Sequence, residues 1–406
     1  MFQLRPFQKA ALHELHDPLT PEKHVLCIAP TGSGKSLIYE EAAGMPERRT
    51  LLITPLVALA RQQFQKLQSL GIKVCLGAGD LSEGPPTGKS GAWIISPEIL
   101  SYPSRQAALL KWKPNLLVVD ECHCLWEWGE NFRTAFTLIP DLLKTYSISK
   151  SLWLTATLPY EARLALRKLL PVPPVEMGGF DLPPSLQLSI HQTPWKKRAE
   201  TLLGWINQQR GPGIVFVPTR ETTFRVSRLI AATGKKVIAY HGGMAAEERK
   251  NSEVLISQQI PEVIVATSAF GMGMDYPHLS YVALWQAPTS LLSLVQTIGR
   301  VGRNPNQQAQ ALALWDFDDF KLLEWTLQNS VRRKDEFKSL LTFLKTQECR
   351  LAGLKRYFDR NADPTPTPCN RCDYCRMELE WKAWGKTSPL QLNSAKTDEM
   401  PDPLLF

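Results

Sequence analysis

The sequence lacks any apolar run long enough to cross a membrane, since a helical span needs about 20 apolar residues in succession. Residues 1–5 (MFQLR) and those that follow also lack the apolar core of a secretory signal peptide. These absences argue against membrane and secreted classes, and we expect a cytoplasmic protein, nucleoid-associated if the source is bacterial. In that reducing setting the eight cysteines are expected to be free thiols or metal ligands.

Charge of one sign is only modestly in excess, with a formal net charge of +8 at pH 7. The excess is uneven, because residues 331–378 hold more lysine and arginine than aspartate and glutamate. A basic surface suits a polyanionic partner such as nucleic acid. The alternative is a basic face that contacts only water.

Regular patterning is scarce only near the end of the chain. Between residues 23 and 155, strand-length apolar runs such as 116–119 (LLVV) alternate with helical patterns, and a second series extends from about 198 to 315. The apolar runs are continuous, which is typical of parallel strands that helices cover on both faces. The sequence therefore predicts an α/β protein with two parallel-sheet lobes.

Two changes in composition give the predicted domain boundaries. Proline and glycine crowd residues 171–184, which predicts a hinge between the lobes. From about residue 331 the pattern is helical and ends in a cysteine cluster, and the residues after it are polar with little periodicity. We predict domains at 1–178, 179–330 and 331–378, followed by a flexible tail at 379–406.

A glycine-rich segment at 29–36 (APTGSGKS) lies between an apolar run and a helical pattern. Glycine permits backbone angles at which successive N–H groups converge on one anion, and the helix start favours phosphate. Lys35 is expected to reach the β- and γ-phosphates of a nucleotide. Ala29 stands where the usual phosphate-loop motif has glycine. The predicted nucleotide-binding residues of this loop are Thr31, Gly32, Ser33, Gly34, Lys35 and Ser36, with the Ser36 hydroxyl on Mg²⁺.

Two adjacent carboxylates, Asp120 and Glu121, follow the apolar run 116–119. Ligands of open α/β sheets bind at the carboxyl ends of strands. Asp120 is expected to hold Mg²⁺, and Glu121 to orient and deprotonate the attacking water. The alternative is that the pair caps the next helix.

The second lobe lacks a phosphate loop of its own but contains the segment 296–303 (QTIGRVGR). Arg300 and Arg303 are flanked by glycines that allow close approach to another surface. Either arginine is predicted to enter the cleft between the lobes and neutralise charge on the transferring phosphoryl group, an effect of about 10³–10⁵ in rate. We include Gln296 among the catalytic candidates. A basic surface loop is the alternative.

The distal cysteines are Cys349, Cys369, Cys372 and Cys375. Four thiolates at this spacing can surround Zn²⁺ tetrahedrally and stabilise a segment too small for a strong core. Disulfides are disfavoured in a reducing compartment. An iron–sulfur cluster also fits the C-x₂-C-x₂-C run and remains an alternative.

An aromatic-rich segment follows the carboxylate pair directly, at residues 124–133 (CLWEWGENFR). Bases stack on aromatic faces for about 1–3 kcal/mol each, whatever their sequence. Trp128, Phe132 and Arg133 are therefore candidates for signalling bound DNA to the hydrolytic site. The alternative is that the rings are core, and it weighs most for Trp126.

The ordered motifs at 29–36, 120–123 (DECH), 155–157 (TAT) and 296–303 resemble those of superfamily 2 helicases. Further segments at 54–59, 95–98, 128–133 and 269–275, with the cysteine set, are similar to the RecQ family over residues 2 to about 376. The resemblance implies two tandem RecA-like lobes followed by a small helical zinc-binding domain. It also implies an ATP- and Mg²⁺-dependent 3′–5′ DNA helicase of repair and recombination, which translocates on single-stranded DNA.

The resemblance also carries residue roles onto matching positions of this chain. Arg5 and Gln8 would contact adenine, and His123, Thr155 and Thr157 would link the nucleotide state to the grip on DNA. Arg220 and His241 follow second-lobe strands where the family contacts the DNA backbone. The implied partners are single-stranded and forked DNA and a single-stranded-DNA-binding protein, with a monomer as the working unit and no membrane.

The chain departs from the family in ways that leave other functions open. Few residues follow Cys375, so we expect a short form without the winged-helix and C-terminal helical domains that relatives often append. The alternatives are a DNA translocase that remodels complexes without separating strands, an RNA helicase, and a non-catalytic zinc-stabilised binding module. The presence of Lys35, Asp120, Glu121 and both arginines argues against the last of these.

Overall fold

The structure, a computed structural model, describes residues 4–17, 22–78, 81–128, 138–270, 276–304, 306–321, 331–360 and 368–377. The main α-helices in these ranges are accompanied by a 3₁₀ turn at Pro97–Ser101 and by helical residues at 318–321 and 373–377. The helices are α1 (Pro6–His16), α2 (Ser36–Ala43), α3 (Val57–Ser69), α4 (Pro103–Trp112), α5 (His123–Trp128), α6 (Asp141–Thr145), α7 (Tyr160–Leu169), α8 (Trp195–Asn207), α9 (Arg220–Ala231), α10 (Ala246–Ser257), α11 (Leu291–Ile298), α12 (Val331–Lys345) and α13 (Arg350–Phe358).

The first sheet has eight strands in the order β4-β3-β5-β2-β6-β7-β1-β8, and only the short β4 is antiparallel to its neighbour. Its central strands are buried along their whole length, as the continuous apolar runs predict. This sheet and its helices are called lobe 1. The strands are β1 (Lys23–Ile28), β2 (Arg49–Ile53), β3 (Val74–Ala78), β4 (Leu81–Ser82), β5 (Gly91–Ile95), β6 (Leu116–Val119), β7 (Lys150–Thr155) and β8 (Val175–Gly178).

The second sheet has six strands, all parallel, in the order β11-β12-β10-β13-β14-β9. Buried apolar side chains fill both of its faces in two separate core clusters. This sheet and its helices are called lobe 2, and two α/β lobes with parallel sheets confirm the predicted fold class. The strands are β9 (Leu186–Gln192), β10 (Gly213–Phe216), β11 (Val237–Tyr240), β12 (Val263–Ala266), β13 (Tyr281–Leu284) and β14 (Ala309–Trp315).

The segment predicted as a hinge contains a strand that the sequence analysis missed. Strand β8 pairs with β1 at the edge of lobe 1, and its side chains alternate between partly buried and exposed. The polypeptide crosses between the lobes after β8, where Phe180 stacks on Phe358 with ring centroids 4.4 Å apart. The prolines mark the flanks of this edge strand, because proline is tolerated at edges and strand ends.

Residues 331–360, which include α12 and α13, and residues 368–377 form a third part, which we call the cysteine unit. It extends lobe 2 at the edge of the second sheet, where the Leu188 N–H donates to the Arg371 carbonyl (2.8 Å) and Leu188 forms an isolated parallel bridge with Cys372. The Arg376 guanidinium donates to Gln187 (2.8 Å) and Ser189 (2.7 Å) on the same strand. The edge of β9 is therefore covered.

The cysteine unit also touches lobe 1. Asp359 forms an ion pair with the buried Arg163 (3.7 Å), and Arg360 forms one with Glu161 (2.9 Å). Both lobe 1 residues lie on α7. The unit thus contacts both lobes, although its core is continuous with that of lobe 2.

Candidate active site

Three neighbouring strands of lobe 1 bring its predicted site residues together. In the sheet order, β6, β7 and β1 are adjacent and parallel. The chain leaves β1 into the phosphate loop, β6 into Asp120 and Glu121, and β7 at Thr155. The topology therefore places all three segments at one edge of the sheet, where open α/β folds bind ligands.

The phosphate loop has the backbone that its sequence predicts. Gly32 and Gly34 have φ angles of +76° and +81°, in the region that side chains disfavour. Ser36 is the first residue of α2. The Lys35 ammonium donates to the carbonyl oxygens of Ala29 (2.8 Å) and Pro30 (3.2 Å), and it must exchange these partners to reach a phosphate. Thr31 is exposed and Ser33 is buried within the loop.

Gln8 holds the phosphate loop from the side. Its amide nitrogen donates to the Gly34 carbonyl (2.7 Å), and its amide oxygen accepts from the Arg5 N–H (2.7 Å) at the start of α1. The side chain is 1% exposed. The structure thus places Arg5 and Gln8 beside the loop, and their contact with adenine stays a prediction. The contact between Gln8 and the loop backbone was not anticipated from the sequence.

Replacing Gly34 with alanine is expected to destabilise the phosphate loop more than the same change at Gly32. Both positions have positive φ, which disfavours an L-residue by about 1–2 kcal/mol. A Cβ atom at Gly34 would lie 2.7 Å from the Gln8 amide nitrogen, whereas one at Gly32 would meet nothing within 4 Å. We expect this crowding to add about 1–3 kcal/mol. Thermal unfolding of the nucleotide-free variants measures the difference, and equal shifts would contradict it.

The carboxylate pair is held by short hydrogen bonds. Asp120 accepts from the Gln63 amide (2.6 Å) and from the Glu121 N–H (2.9 Å). Glu121 has a φ of +50°, a left-handed conformation that is uncommon outside glycine and tends to occur at functional sites. Gln63 lies on α3, and nothing in the local sequence of that helix indicated a role beside Asp120.

The two carboxyl groups differ in their tendency to ionise. Burial and the neighbouring Glu121 charge raise the pKa of Asp120, against the opposing effect of Lys35. Burial also disfavours the Glu121 charge, but the hydrogen bond and charge of His123, with Lys35 and Arg300, outweigh burial and lower the pKa of Glu121. Two neighbouring acids with opposed shifts are typical of a site that handles a cation and a water molecule.

A chain of hydrogen bonds joins Glu121 to the end of β7. His123 Nδ1 lies 3.3 Å from a Glu121 oxygen and 3.0 Å from the Thr155 hydroxyl. Thr155 donates its proton to the Thr157 carbonyl (2.9 Å), so its oxygen accepts from the Thr157 N–H (3.2 Å) and from His123. The structure thus connects the three residues assigned to coupling, and the coupling itself stays a prediction.

Arg300 of lobe 2 lies near enough to Glu121 of lobe 1 for the two charges to interact. It follows α11, and its positive charge is one of the effects that lower the pKa of Glu121. Burial and the neighbouring Arg303 lower the pKa of Arg300 itself to about 10. Gln296 lies on α11, and its buried amide nitrogen has no partner among the described residues. The charge of Arg300 thus acts at the lobe 1 site with Lys35 and the two acids, and the catalytic roles of Arg300 and Arg303 stay predictions.

The two predicted DNA-backbone residues of lobe 2 lie close to each other. Arg220 begins α9, and its guanidinium packs over Gly243, where a Cβ atom would clash with it. His241 directly follows strand β11 and is 9% exposed. Both follow strands of the same parallel sheet, at the edge opposite the strand starts.

The four distal cysteines converge. The sulfur atoms of Cys349, Cys369, Cys372 and Cys375 lie within 4.8 Å of one another. The set fits a tetrahedral ion, since Zn–S distances of about 2.3 Å bring such ligands to within about 4 Å of each other. Backbone N–H groups of Arg371 and Cys375 donate to the sulfurs of Cys369 and Cys372 (3.5 Å each). No disulfide occurs among the eight cysteines, all of which are described and free.

Trp126, within the aromatic-rich segment 124–133, contacts the cysteine unit. Its indole N–H donates to Glu336 of α12 (2.7 Å), and its ring packs against the cores of both lobes. The ring is therefore half buried where the two lobes meet. Phe132 and Arg133 lie outside the described residues, as do the side chain of Trp128 and the tail at 379–406.

Comparisons with known proteins agree with this architecture. Residues 5–165 match the DEAD/DEAH box helicase domain, and residues 197–305 match the helicase conserved C-terminal domain. The chain is 28% identical to the ATP-dependent DNA helicase RecQ of Haemophilus influenzae over 392 residues, which cover 92% of this chain and 62% of that protein. The chain thus spans less than two thirds of the length of this relative.

Solved structures share the fold at lower identity. S. cerevisiae Dbp5 bound to RNA and ADP BeF3 has a TM-score of 0.59 at 19% identity, over 82% of this chain and 87% of that one. The Mycobacterium smegmatis helicase Lhr bound to ssDNA and AMP-PNP has a TM-score of 0.58 at 18% identity, over 84% of this chain and 48% of that one. Within the described residues, no helix is long and apolar enough to span a bilayer.

Proposed function

The chain belongs to the RecQ family of superfamily 2 helicases, and from this premise we propose that it is an ATP-dependent DNA helicase. It would translocate 3′ to 5′ on single-stranded DNA and separate forked duplexes, in DNA repair and recombination, as a monomer. The observation that carries the proposal is that the phosphate loop and the carboxylate pair meet at one edge of the lobe 1 sheet, with Arg300 of lobe 2 close enough for its charge to lower the pKa of Glu121. A nucleotide site built from two lobes makes hydrolysis sensitive to their relative position.

The residues of both lobes divide the work of phosphoryl transfer. Lys35 and the N–H groups of the loop would bind the phosphates, and Ser36 and Asp120 would hold Mg²⁺, which neutralises charge on the β- and γ-phosphates when bound. The Glu121 carboxylate, kept anionic by His123 and Lys35, would orient the attacking water. Arg300 and Arg303 would stabilise charge on the transferring phosphoryl group.

Bound DNA would influence ATP hydrolysis through two sets of residues. Arg220 and His241 lie together on lobe 2 as backbone contacts, and the His123–Thr155–Thr157 hydrogen bonds connect Glu121 to lobe 1. The Lhr neighbour, which shares this fold, is bound to ssDNA and AMP-PNP, and this supports the proposal. A cycle of lobe closure and opening would then move the chain along the strand.

An unwinding assay tests the proposal. Wild-type protein with ATP is expected to displace a labelled strand from a fork and from a 3′-tailed duplex, and not from a 5′-tailed one. Lys35→Ala is expected to abolish ATP turnover and unwinding while binding single-stranded DNA as the wild type does. If DNA stimulated ATP turnover without strand displacement, the protein would be a translocase. If RNA stimulated ATP turnover as much as DNA does, an RNA helicase would be indicated. Unchanged turnover in Lys35→Ala would contradict the site.

A further inference from the structure

One face of lobe 2 combines exposed aromatic rings with cations that form no ion pair in the part of the chain that the structure describes. We call it the α8–α9 face, and it consists of Trp195, Lys196, Lys197, Phe224, Arg225 and Arg228. Trp195 is 45% exposed and Phe224 is 50% exposed, which is unusual for rings of this size. All four basic side chains are exposed. Helices α8 and α9 both begin after the carboxyl ends of parallel strands, β9 and β10, so their first turns share one edge of the sheet.

The Trp195 ring is held in place although it is half exposed. The Arg225 guanidinium lies 4.8 Å from its ring centroid, and the ring of Trp285 meets it edge-on at 5.7 Å. Arg198 lies 5.1 Å from the same centroid and is itself fixed by two hydrogen bonds to Asp319 (2.9 and 3.0 Å). An exposed ring that is already ordered loses little entropy when a flat ligand stacks on it.

Phe224 connects this face to the predicted DNA-backbone contacts. Its ring packs edge-on against His241 with centroids 5.1 Å apart. Phe224 also lies four residues after Arg220 on α9, so both side chains project from the same side of the helix. The exposed ring therefore lies directly beside a cation that is assigned to phosphate.

The charges of the face favour a polyanion. Among the described residues, Lys196, Lys197, Arg220, Arg225 and Arg228 form no ion pair with a carboxylate. Exposed cations interleaved with aromatic rings are the pattern by which proteins bind single strands, whose bases are free to stack. A duplex presents its phosphates but keeps its bases stacked inside, so exposed aromatic rings add little to the affinity for duplex DNA.

We propose that the α8–α9 face is a stacking platform for single-stranded DNA that extends the track from Arg220 and His241. Phe224 takes a base beside the phosphate held by Arg220, and Trp195 takes a base further along the strand. The cations between them contact the intervening phosphates. This inference rests on the proposed function, because it assigns further contacts to the same DNA strand.

Fluorescence anisotropy with two probes separates stacking from charge. The probes are a labelled oligothymidylate and an abasic strand of the same length, which keeps the phosphates but has no bases. Phe224→Ala and Trp195→Ala are each expected to weaken oligothymidylate binding about 5- to 150-fold, the range that base–aromatic stacking spans, with little change for the abasic strand. Trp195→Phe is expected to restore most of the loss. Tyr102→Ala, an exposed ring on lobe 1 (58% exposed), is the matched control.

A charge variant keeps the test decisive if Trp195→Ala disturbs packing against Trp285. Arg228→Glu alters an exposed side chain and is expected to weaken both probes equally and to reduce the salt dependence of binding. The platform would be overturned if Phe224→Ala and Arg228→Glu bound both probes with wild-type affinity. It would also be overturned if these variants lost binding to an acidic peptide instead of to the DNA probes. Wild-type protein that binds neither probe would instead refute the proposed function.

Discussion

Replacing Arg300 with alanine is expected to lower the rate of DNA-stimulated ATP hydrolysis by about 10³–10⁵, the contribution of an arginine that stabilises a transferring phosphoryl group. Arg300 is the lobe 2 residue whose charge acts on Glu121. The variant is expected to bind ATP with nearly the wild-type dissociation constant, because the phosphate loop in lobe 1 is untouched. Steady-state turnover and titration with a fluorescent nucleotide measure the two quantities separately.

Two further variants sharpen this result. Arg300→Lys keeps the charge but loses the planar fork, and we expect it to recover little of the rate. Arg210→Ala removes an exposed arginine of the same lobe and is expected to hydrolyse ATP like the wild type. If the rate of ATP hydrolysis fell less than about tenfold in Arg300→Ala, the arginine would not stabilise the transition state. A loss of ATP affinity that matched the loss of rate would show that Arg300 binds the nucleotide in the ground state.

Replacing Cys372 with serine is expected to remove the metal and unfold the cysteine unit. Structural zinc sites contribute about 10–16 kcal/mol of apparent binding free energy, and that energy stabilises the fold. Cys372 is fully buried and lies at the bridge to Leu188, so its loss also uncovers the edge of β9. We expect zinc content to fall from one ion per chain to nearly none, and uncovered edges to promote aggregation on heating. Elemental analysis and light scattering measure both.

The control for this variant is Cys75→Ser, which changes a partly buried thiol outside the cluster. It is expected to keep its zinc and to scatter light like the wild type. If the wild type contained stoichiometric iron and sulfide, the four cysteines would be assigned to an iron–sulfur cluster and not to zinc. Full metal content in Cys372→Ser would contradict the four-cysteine site.

The sequence predicted the buried strands well, because central parallel strands are apolar along their whole length. It missed the edge strands β8 and β9, where partly buried residues alternate with exposed ones in β8 and buried residues alternate with less buried ones in β9. In β9 the alternation of leucine and isoleucine with polar residues was a usable signal. In β8 the surrounding prolines concealed it.

The candidate site was predictable where chemistry needs consecutive residues, as in the phosphate loop and the carboxylate pair. Contacts between distant segments were not. Gln63 beside Asp120, Gln8 beneath Gly34 and Glu336 on Trp126 each join residues that are 26 or more positions apart. An amide or an indole in a helix carries no local pattern that names its partner, so such contacts follow only from the packed fold.

The contact between Trp126 and Glu336 has a spectroscopic consequence. The indole belongs to lobe 1, three residues after His123, while its acceptor travels with lobe 2 through the cysteine unit. Any change in the angle between the lobes must alter the polarity around this ring. Trp126 is therefore an intrinsic fluorophore at the joint, and we expect the difference in emission between the wild type and Trp126→Phe, which isolates it from the other tryptophans, to change as the lobes open and close.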